Sequence, residues 1–329
     1  MGASVGPEGT SGEGQPSGTR SFMREADRVP GFTWFDRLHA YVYGRWTYLY
    51  IALGVGEHPI ARLLGPIVRA VQPRRQAESL PRPTTADGYH GKVIPLDTAR
   101  RLVRVMEPVT VTDLERVIPY PVARALILRQ PDHLVALECP CRTARPNPCR
   151  PLDVCLVVGE PFASFVVEHH PRRSRWITPE EAERILEAEH RRGHVQHAFF
   201  KDAMLGRFYA ICNCCACCCG AMQAQRSGTP MLASSGYRAV LEAPDCVACE
   251  ACAEACPFGA IEMCGGQPQP AAQVCMGCGV CVEHCPNGAL SLVRDASKGE
   301  PLEILELIAN QNRLTAETTQ ETTQLVETG

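Results

Sequence analysis

The chain has 329 residues, a formal net charge of −3 and 19 cysteines. This length allows two domains, or one domain with a smaller appended one. The small net charge gives no reason to expect a nucleic-acid partner, because a phosphate-binding surface usually carries an excess of basic residues. Fifteen of the cysteines lie between Cys212 and Cys285, and such crowding favours metal binding over disulfide cross-links.

The beginning of the chain shows no secretory leader. Residues 1–30 are rich in glycine, serine and proline, so we expect them to be disordered and the protein to be cytoplasmic. The longest uncharged run that could suggest a membrane span, residues 46–56, is shorter than the roughly 20 apolar residues that a spanning helix needs. We therefore predict no transmembrane segment.

Residues 31–88 are expected to form an aromatic, basic helical segment followed by a linker. Eight aromatic residues lie between Phe32 and Tyr50, which suits a peripheral membrane contact, a docking face for a partner, or packing against the main domain. We expect packing, because a surface anchor would place its aromatic and basic residues more strictly on one side of a helix. Prolines and paired threonines predict the linker at residues 76–88.

Residues 89–226 are expected to form a cysteine-rich α+β domain with more helix than strand. Apolar residues recur with helical spacing from Leu96 to Met106, and a second helical stretch is expected over residues 111–128. Residues 133–138 predict a short buried strand that leads directly to Cys139. Thr178 and the proline that follows it are typical of a helix start.

Two cysteine groups in this domain are candidate metal ligands. The first has an uncommon spacing and could be one metal site or a set of buried thiols. The second has six thiols in eight residues, which cannot all meet one ion because adjacent side chains diverge, so a subset could complete sites with the first group. The first group is Cys139, Cys141, Cys149 and Cys155, and the second is Cys212, Cys214, Cys215, Cys217, Cys218 and Cys219.

His194 and His197 lie near these groups in the sequence. They could be metal ligands or proton carriers, but a histidine pair beside aromatic residues is more often structural. We expect the structural role.

Two copies of the pattern CxxCxxCxxxCP follow, one starting at Cys246 and the other at Cys275. Three cysteines at this spacing can surround one corner of a cubane cluster, and in the bacterial two-cluster pattern the fourth cysteine of each run ligates the other cluster. Zinc is the less favoured alternative, because a duplicated three-plus-one pattern is hard to explain as two zinc sites. The expected ligand sets are Cys246, Cys249, Cys252 and Cys285 for one cluster, and Cys275, Cys278, Cys281 and Cys256 for the other.

Residues 237–293 resemble a bacterial-type ferredoxin domain with two 4Fe-4S clusters. The resemblance implies a pseudo-twofold fold of β-hairpins and short helices, and a low-potential electron carrier. The upstream sequences Glu138-Cys139-Pro140-Cys141-Arg142 and Ile211-Cys212-Asn213-Cys214-Cys215 resemble poorly characterised iron-sulfur proteins with a carboxyl-terminal ferredoxin domain. This second resemblance implies no known activity. We place the ferredoxin domain at residues 230–295, a helix at 300–314 and a disordered tail at 315–329.

Three functions fit this organisation, and the sequence shows no nucleotide loop or hydrolase motif that would suggest another. We favour an iron-sulfur electron-transfer protein for anaerobic redox chemistry, which relays electrons between a redox partner protein and one or two further metal centres upstream. The alternative is an oxidoreductase whose catalytic metal centre is built from the Cys139–Cys155 and Cys212–Cys219 groups, with His194 or His197 as proton donor. A protein for metal storage, cluster assembly or sensing is the third possibility.

Overall fold

A mixed β-sheet of eight strands lies at the centre of the structure, between residues 89 and 233. The computed structural model describes residues 17–60, 85–112, 114–310 and 313. The disorder expected for residues 1–16 and 315–329, and most of the linker expected at residues 76–88, lie outside these ranges.

The eight strands are mostly antiparallel. They are β1 (Tyr89–Val93), β2 (Val109–Val111), β3 (Leu126–Leu137), β4 (Cys155–Glu160), β5 (Ser174–Ile177), β6 (Val195–Lys201), β7 (Arg207–Cys214) and β8 (Leu232–Ala233). Their order is β2-β3-β4-β7-β6-β1-β8, with β5 paired to β3, and only the β1–β8 pair is parallel. Nearly every residue of β4, β6 and β7 is buried, as expected for strands covered on both faces.

Helices cover both faces of this sheet. In chain order they are α1 (Gly18–Ala26), α2 (Trp34–Arg45), α3 (Thr47–Gly54), α4 (Thr85–Gly88), α5 (Leu96–Val103), α6 (Pro140–Thr143), α7 (Phe162–His169), α8 (Pro179–Arg191) and α9 (Gly220–Arg226). Helices α5 and α8 pack against each other and on β3 and β6. The Asn213 side chain bonds to Gln196 on the side of the sheet covered by α8. Its neighbours Cys212 and Cys214 face α2 and α3. Because successive side chains of a strand point to opposite faces, α8 lies on one face of the sheet and α2 and α3 lie on the other.

The carboxyl-terminal part of the chain forms a smaller unit of two hairpins and two short helices. These elements are β9 (Tyr237–Leu241), α10 (Ala251–Ala255), β10 (Ile261–Cys264), β11 (Gln267–Pro270), α11 (Val280–Glu283) and β12 (Leu290–Arg294). Strand β9 pairs with β12 and β10 pairs with β11, both antiparallel. Residues 304–310 form a further helix. The α+β class expected from the sequence is confirmed.

The aromatic segment packs against the sheet domain with about half of its aromatic residues, whereas Trp34, Phe35, Trp46 and Tyr50 are exposed. Tyr43 is buried, and the Tyr48 hydroxyl donates a hydrogen bond of 2.9 Å to the carbonyl of Glu138. Trp34 and Phe35 remain 73% and 62% exposed at the start of α2. Within the described ranges, no helix combines the length and apolar character needed to cross a bilayer.

Two local expectations were wrong. Disorder was expected for residues 1–30, but residues 18–26 form α1, where Phe22 lies fully buried with its ring centroid 4.8 Å from that of Phe165. Composition could not show this, because the apolar partners of α1 come from α7, far along the chain. The helix expected over residues 111–128 is replaced, in the residues described there, by turns and the first residues of β3. Pro119 and Pro121 explain the difference, since proline disfavours helix in itself and in the preceding residue.

We predict that Phe22→Ala lowers the free energy of unfolding of the sheet domain by about 3–5 kcal/mol, because it leaves a cavity between α1 and α7. Chemical unfolding followed by tryptophan fluorescence measures the change. Phe35→Ala, the same substitution at an exposed position of the neighbouring helix, should change the value by less than about 0.5 kcal/mol. Equal effects of the two variants would contradict the docking of α1.

Candidate metal centres

The duplicated segment gathers its eight motif cysteines into two pockets, and each pocket combines both copies of the motif. We call the first the outer pocket and the second the inner pocket. The outer pocket is lined by Cys246, Cys249, Cys252 and Cys285, and the inner pocket by Cys256, Cys275, Cys278 and Cys281. These groups coincide with the two ligand sets expected from the sequence, whose binding of clusters stays a prediction.

The backbone of each copy makes the same two left-handed turns. In the first copy Ala248 and Glu250 have φ of 54° and 65°, and in the second Gly277 and Gly279 have φ of 65° and 83°. Each pair flanks the second cysteine of its motif. The repetition shows that the cysteine spacing fixes the loop conformation, because Ala and Glu are held there in a region that L-residues seldom occupy.

Backbone amides are directed at the sulfurs in both pockets. Ala248 N–H donates to Cys246 Sγ at 3.4 Å and Ala289 N–H donates to Cys285 Sγ at 3.2 Å in the outer pocket. Corresponding bonds in the inner pocket run from Ala260 N–H to Cys256 Sγ at 3.2 Å and from Ala239 N–H to Cys275 Sγ at 3.4 Å. Donors of this kind stabilise negative charge on sulfur and tune cluster potentials, so both pockets fit thiolate-bound iron-sulfur clusters.

The two pockets differ in their exposure to solvent. Cys249 of the outer pocket is exposed, whereas Cys275, Cys278 and Cys281 of the inner pocket are buried. Burial raises the pKa of Cys281 to about 12. The inner pocket is therefore inside the molecule, and the outer pocket reaches its surface.

The carboxyl-terminal unit contacts the sheet domain on the side of the inner pocket. Ser235 N–H donates to the carbonyl of Met276, next to Cys275 and Cys278, at 3.1 Å. Arg226, at the end of α9, donates to the carbonyl of Pro257 at 2.7 Å and to the carbonyl of Ala216 at 3.0 Å. One guanidinium thus connects the residue after Cys256 with the cysteine run that starts at Cys212.

Six of the ten upstream cysteines form a contiguous array beside an apolar cavity, which we call the thiol array. Cys219 Sγ lies 3.3 Å from Cys214 Sγ, and all six thiols line this cavity. They are close enough for each to influence the protonation of the next, in the order Cys212, Cys155, Cys139, Cys141, Cys219 and Cys214. Cysteines of both sequence groups therefore lie side by side, and their binding of a shared metal centre stays a prediction.

The thiol array owes its position to the sheet and to α2 and α3. Cys155 and Cys212 are paired across β4 and β7, so their side chains share one face. Tyr43 and Ile51 cover the same cavity from α2 and α3. The contact with the Cys141 thiol and burial raise the pKa of Cys139 to about 12. Such thiols are protonated at neutral pH unless a cation is bound beside them, as metal binding to cysteine requires deprotonation.

The remaining four upstream cysteines form a separate group at the edge of the domain, which we call the four-thiol group. It consists of Cys149, Cys215, Cys217 and Cys218, whose sulfur atoms all lie within 4.8 Å of one another. Among the described residues, no other set of three or more cysteine, histidine or acidic ligand atoms is this compact.

Arg142 fixes the backbone around the thiol array, although the sequence analysis did not single it out. Its guanidinium is buried and donates to the carbonyl of Pro151 at 2.6 Å, to Glu189 Oε2 at 2.5 Å and to the carbonyl of Asn213 at 3.0 Å. Burial raises the pKa of Glu189, but the hydrogen bonds from His194 and Arg142 outweigh it and hold that pKa below its usual value. The ion pair therefore stays charged at neutral pH.

The two histidines considered as ligands lie on different faces of the sheet. His194 Nδ1 is 2.7 Å from Glu189 Oε2, within the Arg142 network and away from the thiol array. His197 is paired with Cys212 across β6 and β7 and is fully buried. Neither ring nitrogen of His197 has a partner among the described residues, and burial lowers its pKa to about 3.

Comparison with known proteins agrees with the geometry of the two pockets. Residues 242–262 and 272–291 match the family of 4Fe-4S binding domains. The chain is therefore a cysteine-rich protein whose carboxyl-terminal part is a ferredoxin-type domain, with the capacity to bind 4Fe-4S clusters and transfer electrons. Searches of curated proteins and of solved structures gave no match.

We predict that Gly277→Ala abolishes the inner pocket. A Cβ at this position would lie 2.2 Å from both Ser235 Oγ and the carbonyl oxygen of Tyr237. The visible absorbance of bound iron-sulfur clusters should fall to about half or less in the purified variant. The reverse change at the corresponding position, Ala248→Gly, should retain full absorbance and stabilise the domain by about 1 kcal/mol, because glycine adopts positive φ without strain. Full cluster content in Gly277→Ala would contradict this account.

We predict that Arg142→Lys destabilises the sheet domain by about 3 kcal/mol, because a lysine keeps the charge but cannot make the same divergent set of hydrogen bonds. Hydrogen exchange should show faster opening of residues 139–143 and 212–214. Arg150→Lys, at an exposed position in the same loop, is the matched control and should leave both measurements unchanged. Unaltered exchange in Arg142→Lys would show that the network does not hold these segments.

Proposed function

We propose that this protein is an electron-transfer protein that holds one 4Fe-4S cluster in each pocket of its ferredoxin-type domain and a further polynuclear centre in the thiol array. The observation that carries the proposal is the division of eight cysteines into two four-sulfur pockets, each receiving amide hydrogen bonds. Each bound 4Fe-4S cluster would accept and donate one electron.

The exposed rim of the outer pocket supports its role as the contact point for a redox partner protein. Residues 242–256 contain four acidic residues, all exposed, and no basic residue. Val247 stands among them with 61% of its surface exposed. An acidic rim around a small apolar contact suits a partner with a basic docking surface, since complementary charge speeds encounter.

The buried inner pocket supports onward transfer to the sheet domain. Pro257 follows Cys256 directly, and its carbonyl accepts from Arg226, which also holds the carbonyl of Ala216 in the upstream cysteine run. A continuous bonded and hydrogen-bonded connection therefore runs from the inner pocket to the upstream cysteines. This connection ends at Ala216, two residues after Cys214 of the thiol array. The order of transfer that we propose is partner, outer pocket, inner pocket and thiol array.

Six thiols that line one cavity suit a polynuclear centre in the thiol array better than a single ion. A tetrahedral ion binds four ligands, so two of the six sulfurs would remain unused. Soft thiolates on one side and an apolar cavity on the other favour iron-sulfur chemistry shielded from water. Anaerobically purified protein should therefore contain more iron and sulfide than two 4Fe-4S clusters supply.

An oxidoreductase is the second candidate, and the apolar cavity beside the thiol array is the observation that favours it. Tyr43 and Tyr209 line this cavity, with their hydroxyl oxygens 2.9 Å apart. A small substrate could bind there against the sulfurs, at the end of the electron path. A change in the EPR spectrum of the upstream centre on adding a substrate would select this function over simple electron transfer.

We predict that serine variants of motif cysteines in the same pocket have the same EPR spectrum, even when the cysteines come from different copies of the motif. Cys285→Ser should give the same EPR spectrum of the reduced protein as Cys246→Ser, because both lose a ligand of the outer pocket. Cys256→Ser should match Cys275→Ser instead. Cys264→Ser, at an exposed thiol outside both pockets, is the control and should keep the spectrum of two interacting clusters. A spectrum of Cys285→Ser that matches Cys275→Ser would contradict the exchange of ligands between the copies.

A further inference from the structure

The four-thiol group is more compact than the thiol array and reaches the surface at Cys217, although Cys215 also lines the cavity beside the array. Cys149 is half-buried and Cys217 is exposed, at the edge of the domain. We propose that this group binds a single zinc ion, independently of the iron-sulfur clusters. The proposal does not depend on the function of the thiol array, because the two sets of side chains share no cysteine.

The sulfur spacing fits one ion with four thiolate ligands. Four sulfurs that each lie about 2.3 Å from a central zinc ion are about 3.8 Å from one another in a tetrahedron. In the four-thiol group Cys149 Sγ is 3.1 Å from Cys217 Sγ, which is 3.5 Å from Cys218 Sγ, and no pair exceeds 4.8 Å. Small rotations of the side chains bring these distances to the tetrahedral value.

The same spacing does not fit a cubane cluster. In a 4Fe-4S cluster each thiolate binds a different iron, so the four sulfurs surround the whole cluster and lie farther apart than around one ion. Neither the outer nor the inner pocket brings its four sulfurs within the 4.8 Å limit that the four-thiol group satisfies. The chain thus contains two kinds of four-cysteine site, and the compact one suits a single ion.

A disulfide also fits poorly. The 3.1 Å between Cys149 Sγ and Cys217 Sγ is well beyond the bond length of about 2.05 Å. A disulfide between these two cysteines would also leave the buried thiols of Cys215 and Cys218 unexplained.

The backbone of the cysteine run is held so that its thiols converge. The carbonyl of Ala216 accepts from Arg226, that of Cys217 from Gln223 at 2.7 Å, and that of Cys218 from Arg145 at 3.3 Å. Three consecutive carbonyls are thus bonded to side chains. Four thiolates with one Zn²⁺ carry a net charge of −2. Arg226 places a positive charge at the neighbouring carbonyl of Ala216, whereas Arg145 is also paired with Glu57 at 2.6 Å.

A closed site with four cysteines is the usual arrangement for structural zinc. Residues 144–154 contain no helix or strand, yet this loop supplies both Cys149 and the carbonyl that binds Arg142. An ion that joins Cys149 to the cysteine run would fix this loop beside the thiol array. We therefore assign the ion a structural role.

The test compares metal content in the full-length chain purified anaerobically. Wild-type protein should contain about one zinc ion per chain in addition to its iron, and the double variant Cys149→Ser, Cys217→Ser should lose that zinc while it keeps the iron and sulfide of the wild type. Cys264→Ser should keep both. Because the double variant could fail to fold, the wild-type protein is also loaded with cobalt(II), which should give the intense visible absorbance of tetrahedral thiolate coordination.

Other outcomes would overturn the proposal. Loss of iron and sulfide together from the double variant would show that these cysteines hold a cluster. Loss of one iron without sulfide would show that the ion is iron, and a Cys149–Cys217 disulfide in the wild-type protein would exclude the site. Failure of the electron-transfer proposal would instead appear as the absence of EPR signals from two reduced clusters in the ferredoxin-type domain, with the zinc content unchanged. The two results are therefore distinguishable.

Discussion

The arrangement of the upstream sulfurs depends on the buried guanidinium of Arg142. Removing such a charge from water is costly unless the charge is paired and hydrogen-bonded. Nε of Arg142 has no partner among the described residues, but its two terminal nitrogens bond to Glu189 on α8, to the carbonyl of Asn213 on β7 and to the loop carbonyl of Pro151. Arg142 follows Cys141 directly, and Asn213 lies between Cys212 and Cys214. The hydrogen bond from Arg142 to the carbonyl of Asn213 therefore also brings the two cysteine groups together. The carboxylate of Glu189 balances the positive charge of Arg142 on the side away from the sulfurs.

In the ferredoxin-type domain, duplication of one motif brings the cysteines together. Each pocket takes three cysteines from one copy and one from the other, so neither pocket is complete until both copies are folded. The β9–β12 pair joins the two ends of the domain and keeps the copies in register. Arg226 then links the inner pocket to the upstream run by two carbonyl contacts. The two domains thus meet where both are rich in sulfur.

The sequence predicted the ferredoxin-type domain far better than the upstream domain, and the reason is the range of the interactions. Cysteines three residues apart define a compact loop by themselves, so three cysteines of each pocket follow from local spacing. The fourth follows from the bacterial two-cluster pattern. The thiol array depends instead on the register of Cys155 against Cys212 and on the cover that Tyr43 provides, and these contacts join segments far apart in the sequence. The same reason applies to α1, whose apolar residues are buried only because α7, far along the chain, packs against them. Local spacing did predict α5, α8 and the strand that ends near Cys139.

The six thiols between Cys212 and Cys219 fall into two spatial groups because the backbone changes conformation twice within them. Up to Cys214 the chain is a strand, so Cys212 and Cys214 face the thiol array while Asn213 faces the other side of the sheet. Residues 216–218 form a turn that directs Cys217 and Cys218 away from the sheet toward Cys149. Cys219 then precedes the first residue of α9 and returns to the array beside Cys141. A run that would be crowded in any one regular conformation is therefore divided by a strand end and a helix start, which place neighbouring thiols in the thiol array or in the four-thiol group.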